Sequence, residues 1–146
     1  MKNRKSGFTL IELLVVIAII GLLSTLSVVA LNSARQKSRD AKRVADVKQI
    51  QTALEFYYND INSYPATLNV VSGGELASGS GATKIIYMGT VPTAPTPFDG
   101  TCTALNNPYA YIMQDSGASY TLAYCLGADT GEVSSGVHTA NPAGIH

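Results

Sequence analysis

Residues 7–13, Gly7-Phe8-Thr9-Leu10-Ile11-Glu12-Leu13, decide how the rest of this chain is interpreted. A short leader with three basic residues precedes them, and a predominantly apolar run continues to Leu31. Between Phe8 and Leu31 there is no Lys, Arg or Asp, and Glu12 is the single charge. As a helix this run would be about 36 Å long, which is enough to span a bilayer. The sequence therefore predicts a membrane helix with one carboxylate near its start.

The lone carboxylate needs an explanation, because a charge inside a membrane segment is costly unless it has a partner. A new α-amino group would be such a partner, and cutting the chain between Gly7 and Phe8 would create one. The alternative is an ordinary signal anchor in which Glu12 is incidental.

Residues 7–13 resemble the type IV prepilin cleavage motif, which type IV pilins share with the pseudopilins of type II secretion. In that family a membrane-embedded prepilin peptidase removes the basic leader after the glycine and methylates the new first residue. The resemblance implies a cleaved leader at 1–7 and an N-methylated Phe8. It also implies that Glu12 forms an assembly charge pair with the Phe8 amine of a neighbouring subunit.

Two features of the membrane segment leave alternatives open. Val28-Val29-Ala30 could serve as a secretory cleavage site, but Glu12 would then interrupt the apolar region of a signal peptide. The basic leader favours a cytoplasmic N-terminus, whereas six basic residues within 35–48 favour the opposite orientation. The resemblance favours a single-pass protein of the inner membrane. Its leader would be cytoplasmic, with the head in the periplasm or, in a pilus, outside the cell.

The helix is expected to continue beyond the membrane segment. Between Phe8 and Tyr64 there is no proline, and Gly21 is the only glycine. Apolar residues then recur every three or four positions, which is the spacing of one helix face; charges are expected on the other faces. The stripe consists of Val44, Val47, Ile50, Leu54, Tyr57 and Ile61. We predict one helix from Phe8 to about Ile61, ended by Ser63-Tyr64-Pro65 because a residue before proline disfavours helix.

The remainder of the chain predicts a small antiparallel β-sheet. Residues 85–88, 108–113 and 120–126 read as strands, and residues 115–117 read as a turn between the last two. Tyr120, Leu122, Tyr124 and Leu126 alternate onto one face, which would pack on the helix stripe. After Leu126 we expect a polar tail.

The sequence thus predicts an α+β, pilin-like fold in which a long N-terminal helix packs on this sheet. The expected parts are the leader 1–7, a transmembrane and fibre-core helix 8–31, an amphipathic helix half 32–62, and a globular head 63–146.

Charge is unevenly distributed along the neutral chain. Residues 35–48 carry six basic and two acidic residues, a net of 6 − 2 = +4. Beyond Lys48 there are one lysine and seven acidic residues, a net of 1 − 7 = −6. Such segregation suits staggered packing of copies, but a solvated helix face followed by an acidic domain explains it equally well.

Two cysteines, Cys102 and Cys125, are present. In a cytosolic protein they would be reduced thiols, whereas beyond a membrane anchor they predict one disulfide. The bridge would contribute about 3 kcal/mol by loop entropy.

Candidate ligand sites are few. The resemblance to the secretion pseudopilin implies a calcium ion in the loop after the last strand, where Asp129 and Glu132 would be ligands. Two carboxylates are few for calcium, so an unliganded polar loop is the alternative. His138 and His146 are expected in a solvated tail. We find no catalytic set, no other cofactor site and no pattern that indicates nucleic acid, so we do not expect an enzyme.

Further segments resemble the major pseudopilin of type II secretion: Asn62-Ser63-Tyr64-Pro65, Asn107-Pro108-Tyr109-Ala110-Tyr111 and Leu126-Gly127-Ala128-Asp129. The cysteine pair departs from that pattern and is common in pilins. The resemblance implies a structural subunit of a homo-oligomeric helical fibre, either a pseudopilus or a type IV pilus. Its partners would be the prepilin peptidase and an inner-membrane assembly platform, with the inner membrane holding it before assembly. The alternatives are a signal-anchored exported binding domain that does not polymerise and a secreted enzyme.

Overall fold

The computed structural model describes residues 7–131 and 133–146. Helix α1 spans Leu10–Ile61 and confirms the prediction of a long N-terminal helix. The chain divides into two compact units, of which the first ends at Arg35 and the second comprises Gln36–His146. The second unit holds all the β-structure of the described residues.

Asn62 ends helix α1. Its φ of 56° is left-handed, and its N–H donates to the carbonyl oxygen of Tyr58 at 2.7 Å. Asparagine tolerates this conformation better than most residues, so it closes a helix in the way that glycine often does. The helix therefore ends just before the predicted Ser63-Tyr64-Pro65 segment, and the N–H of Tyr64 donates instead to Gly117 O at 2.8 Å.

Two antiparallel sheets lie in the second unit. Strands β1 (Leu76–Ser78) and β2 (Ile85–Met88) form a hairpin. Strands β3 (Ala110–Gln114), β4 (Ser119–Leu126), β5 (Gly136–Asn141) and β6 (Gly144–Ile145) form a four-stranded sheet in sequential order. The predicted turn at 115–117 joins β3 to β4, with positive φ at all three of its residues. At Gly117 a β-carbon would lie 2.0 Å from the Ser63 hydroxyl oxygen, so only glycine fits there.

The segment after Leu126 is polar, as expected, but it also adds two strands to the sheet, which the sequence analysis did not predict. Strand β5 pairs with the second half of β4, from Leu122 opposite Ala140 to Leu126 opposite Gly136. Its residues are small and polar, so their pattern gives no apolar signal. The strand forms because the free edge of β4 supplies its backbone partners. Strand β1 was not predicted for a different reason, since its three residues are too few to show an alternating pattern.

The core lies between the second part of α1 and the inner face of the four-stranded sheet. The predicted face of β4 is confirmed, because Tyr120, Leu122, Tyr124 and Leu126 are all buried. The helix stripe is confirmed at Val47, Ile50 and Leu54, which are at most 1% exposed. Ile61 departs from the prediction, since it is 46% exposed at the end of the helix. The architecture is the predicted α+β fold.

Candidate functional site

The Gly7–Phe8 peptide bond lies in an accessible segment. Gly7, Phe8 and Thr9 are exposed and have no regular secondary structure, and helix α1 begins immediately after them. A protease needs an extended, reachable backbone, and this is the last such stretch before 52 helical residues. The predicted leader residues before Gly7 lie outside the described residues.

Thr9 and Glu12 form a capping box at the start of α1. The backbone N–H of Thr9 donates to Glu12 Oε2 at 2.8 Å, and the Thr9 hydroxyl donates to the same oxygen at 2.7 Å. In return the N–H of Glu12 donates to Thr9 Oγ1 at 3.3 Å. A Thr followed three residues later by a Glu is the sequence signal for this motif, and our sequence reasoning missed it. Glu12 therefore has a partner within its own chain.

The first unit presents its apolar side chains outward. Every described residue from Gly7 to Arg35 is exposed. Three hydroxyls within this segment bond to backbone oxygens of the helix itself: Ser24 to Ile20 O at 2.7 Å, Thr25 to Leu22 O at 2.8 Å and Ser27 to Leu23 O at 2.8 Å. Side chains satisfied in this way can enter a bilayer or an apolar helix bundle without leaving donors unpaired. Among the described residues, α1 is the one helix long and apolar enough to cross a membrane, and it anchors the chain there.

A buried charge cluster occupies the helix face that continues the apolar stripe. Arg43 is fully buried, and its Nη1 donates to Asp40 Oδ1 at 2.6 Å. Its Nη2 donates to Pro95 O at 3.0 Å and to Asn107 Oδ1 at 2.9 Å. Our expectation that charges occupy only the other helix faces was therefore wrong. Asp40 and Arg43 lie at the three-residue spacing of the stripe, which is the signal that could have revealed them.

Asp99 extends this cluster from the loop before the first cysteine. Arg39 donates two hydrogen bonds to Asp99, from Nε to Oδ2 at 2.5 Å and from Nη2 to Oδ1 at 2.6 Å. This bidentate geometry is the strong form of an arginine–carboxylate pair. The hydrogen bond from Arg39 holds the pKa of the Asp99 carboxyl below its ordinary value. Arg39 and Arg43, two of the six basic residues at 35–48, are thus paired within the second unit, which reduces the free positive charge on which the staggered-packing hypothesis relied.

Asp46 forms a second buried contact one turn further along α1. Its Oδ2 accepts from the Tyr109 hydroxyl at 2.9 Å and from Lys42 Nζ at 3.3 Å. Burial raises the pKa of Tyr109, and its hydrogen bond to Asp46 adds to the increase. The phenol therefore stays protonated over the whole physiological pH range and remains a donor to Asp46.

Asp40 also fixes the loop that follows β4. Its Oδ1 accepts from the N–H of Gly127 at 3.0 Å, and its Oδ2 accepts from the N–H of Ala128 at 2.9 Å. Gly127 packs so closely that a β-carbon there would lie 2.4 Å from the Asp99 side chain. The Asp40 carboxylate thus binds the backbone just after β4. It also binds Arg43, whose guanidinium contacts the loops that carry Pro95 and Asn107.

The disulfide predicted from the cysteine count is present. Cys102 and Cys125 are bonded, with their Cα atoms 5.8 Å apart. Both are buried. The bridge ties the segment after Asp99 to the end of β4, next to the contacts of Asp40.

The proposed calcium loop is only partly described. Asp129 is exposed, and its Oδ1 accepts from the N–H of Ser135 at 2.7 Å. Glu132 lies outside the described residues. In the described part of the chain no cluster of three acidic, histidine or cysteine side chains could hold a metal ion. Calcium binding by Asp129 and Glu132 stays a prediction.

His138 does not lie in a solvated tail. It sits in β5, where its ring is 5.6 Å from that of Tyr124. Nε2 lies 2.7 Å from Ser134 O, and Nδ1 lies 3.1 Å from the backbone oxygen of His146. His146 pairs through its backbone with Thr139. The expectation was wrong for His138, because the segment that carries it forms strand β5, whereas His146 is exposed, as expected.

Known proteins resemble this chain in two ways. The family model described as "Prokaryotic N-terminal methylation motif" matches residues 2–28. Type II secretion system core protein G of Aeromonas hydrophila is 44% identical over 66 residues, and the protein of the same name from Escherichia coli is 40% identical over 65. The chain matches less than half the length of these two relatives, 46% and 45% respectively.

A longer match comes from Pseudomonas aeruginosa. Its type II secretion system core protein G is 30% identical over 133 residues, which span 88% of this chain and 87% of the relative. No solved structure matches the chain significantly. The identity extends through nearly the whole sequence, from the methylation motif into the head. The chain therefore belongs to the type IV prepilin-like family, within the group of type II secretion system core protein G.

Proposed function

We propose that this protein is a structural subunit of a type II secretion pseudopilus, not an enzyme. The observation that carries the proposal is the accessible Gly7–Phe8 bond directly before a helix whose apolar side chains have no partner in the first unit. Such a helix needs a membrane at first and copies of itself later, which are the two environments of a fibre subunit. The similarity to core protein G over 88% of the chain supports the same function.

The proposed life cycle begins with a membrane precursor. The leader 1–7 stays cytoplasmic, the apolar helix spans the inner membrane, and the head lies in the periplasm. A prepilin peptidase cuts after Gly7 and methylates Phe8. An inner-membrane assembly platform then moves the subunit into a homo-oligomeric helical fibre.

We expect Glu12 to set the axial register between neighbouring subunits in the fibre. Both Thr9 donors bind Oε2, so Oε1 is the oxygen that we expect to accept from the Phe8 ammonium of a neighbouring subunit. Two opposite charges can enter an apolar fibre core only if they meet there. An axial offset that separates them would bury the ammonium without its carboxylate, so the pair selects one stagger.

A type IV pilus is the second candidate, and the Cys102–Cys125 disulfide is the observation that favours it. The similarity to core protein G, together with the Asn107-Pro108-Tyr109 segment, favours the pseudopilus. Both candidates share the processing and assembly steps above. Complementation separates them, since a pseudopilus subunit restores protein secretion in a strain that lacks its own core protein G.

Processing and assembly can be tested with two variants of the full chain. Mass spectrometry of the unaltered protein should show Phe8 as the first residue, with a methyl group. Gly7→Leu should accumulate as an uncut membrane precursor, because the residue before the cut is changed. Glu12→Val should be inserted and cut normally but form few or no fibres. An intact leader, or cleavage after Ala30, in the unaltered protein would contradict the proposal. Normal fibres from Glu12→Val would contradict the charge pair alone.

A further inference from the structure

Leu105 is the most exposed large apolar side chain of the described residues, at 95%. Its turn is held by the chain around it. The N–H of Thr103 donates to Asn106 Oδ1 at 2.6 Å, and the N–H of Leu105 donates to Thr103 Oγ1 at 3.3 Å. The disulfide at Cys102 fixes the start of the turn. The leucine is therefore presented to solvent by a constrained backbone.

The turn is also anchored to helix α1 at a defined level. The N–H of Asn107 donates to Thr103 O at 2.9 Å, and Asn107 Oδ1 accepts from the buried guanidinium of Arg43 at 2.9 Å. Leu105 thus projects from a turn attached to the helix at residue 43. From Gly100 to Gln114 there is no Asp, Glu, Lys, Arg or His. This surface therefore matches an uncharged protein surface better than a nucleic acid or a lipid headgroup.

An uncharged cavity lies on another face of the second unit. It has a volume of about 270 Å³ and is bordered by Phe56, which is 58% exposed, and Met88 of strand β2. Its other lining residues are Gln49, Thr52, Ala53 and Tyr87.

The cavity and the turn that carries Leu105 contact helix α1 at different heights along its axis and at different angles around it. Thr52 follows Arg43 by nine residues, which places it about 13.5 Å further along α1 and about 180° around its axis. The four helix residues that line the cavity all lie more than about 75° around the axis from Arg43, so the cavity occupies a different helix face from the one that holds the Leu105 turn.

We infer that Leu105 of one subunit docks into the cavity beside Phe56 of the next subunit. A protrusion and a cavity on different faces, at different levels, form a heterologous contact that repeats into an open helical array. The same two features on one face would instead close a dimer. This inference rests on the proposed fibre function and names the contact between heads within that fibre.

The small size of the contact favours a copy within a polymer over a free partner. One leucine and the rim of a 270 Å³ cavity bury far less than the roughly 1,000 Å² that a stable interface needs. Such a contact is effective only when another linkage, here the packed N-terminal helices, holds the subunits together.

Photo-crosslinking of the full-length protein identifies the occupant. A benzoylphenylalanine at position 105 should link two subunits in assembled fibres, and peptide mapping should place the link within residues 49–56 or 85–88. A link to a different protein, or to another surface of a copy, would overturn the inference.

Matched variants test the energetics of the contact. Leu105→Ser and Phe56→Ser should each reduce fibre yield about tenfold or more, because either one loses a buried apolar contact at every subunit. The double variant should be no worse than the single ones, since both remove the same contact. Val71→Ser is the control, because Val71 is 58% exposed and belongs to neither surface.

Three readouts keep the outcomes distinct. Unchanged melting temperatures of the head would show that the variants fold, so that a lower fibre yield supports the contact. Unchanged fibre yield in Leu105→Ser would overturn it. The absence of fibres from the unaltered, processed protein would instead contradict the proposed function itself.

Discussion

The two parts of helix α1 reverse the usual relation between sequence and burial. Residues 10–35 are predominantly apolar, yet every one of them is exposed. Residues 36–61 carry most of the charges of the helix, yet Asp40, Arg43 and Asp46 are buried there among the core residues. The apolar part of the helix thus leaves its surface free to contact other molecules. The charged part instead packs within the second unit of its own chain.

The largest expected effect comes from removing the buried cation of the charged part. Arg43→Met leaves the Asp40 carboxylate buried without its partner, and breaking one side of such a pair costs about 3–5 kcal/mol. The free energy of unfolding of the full chain, measured in detergent with guanidinium, should fall by this amount. Lys48→Met is the control at an exposed position of the same helix and should change it by less than about 0.5 kcal/mol. Equal stability of the two variants would mean that the charged part does not build the core.

The disulfide is expected to contribute the next largest effect. Cys102→Ser should lower the free energy of unfolding by about 3 kcal/mol, because a loop with a sequence separation of 23 residues is released in the unfolded chain. Reductant should destabilise the unaltered protein to the same extent and should not affect the variant further. Calorimetry with and without reductant measures both. If reductant did not change the free energy of unfolding of the unaltered protein, the bridge would not stabilise the fold.

A smaller effect should depend on pH through Asp99. Its pKa is lowered in the folded protein by Arg39, so its contribution is present above the unfolded value of about 3.9. That contribution is lost as the pH falls through the lower folded value. Unaltered protein should therefore be more stable than Asp99→Asn at pH 7, and the difference should shrink below about pH 4. If the difference in stability between the two proteins did not change with pH, the charge of the Asp99 carboxylate would not be its cause.

The helix and the central strands could be predicted from local pattern. The absence of proline before Tyr64 and the spacing of Val47, Ile50 and Leu54 suffice for the helix. The alternation from Tyr120 to Leu126 suffices for β4 and its buried face. In each case the elements themselves carry the periodicity that decides burial.

The parts that could not be predicted depend on partners distant in sequence. Strand β5 has no apolar alternation and exists because β4 offers an edge. Arg43 reads as a solvated helix charge until Pro95 and Asn107 are placed beside it. Thr9 and Glu12 differ from these, because their local spacing does signal a capping box. That signal lies in the sequence itself, since Thr9 precedes Glu12 by three residues.

The two oxygens of Asp40 show how natural variants of this protein should be judged. Substitution tables treat Asp→Asn as mild, since the two side chains have nearly the same shape. Here Oδ1 and Oδ2 each face a backbone N–H, at Gly127 and Ala128. An asparagine would turn an amide NH₂ group toward one of these donors, whichever way it was rotated. Related sequences with asparagine at this position should therefore carry compensating changes where the chain leaves β4.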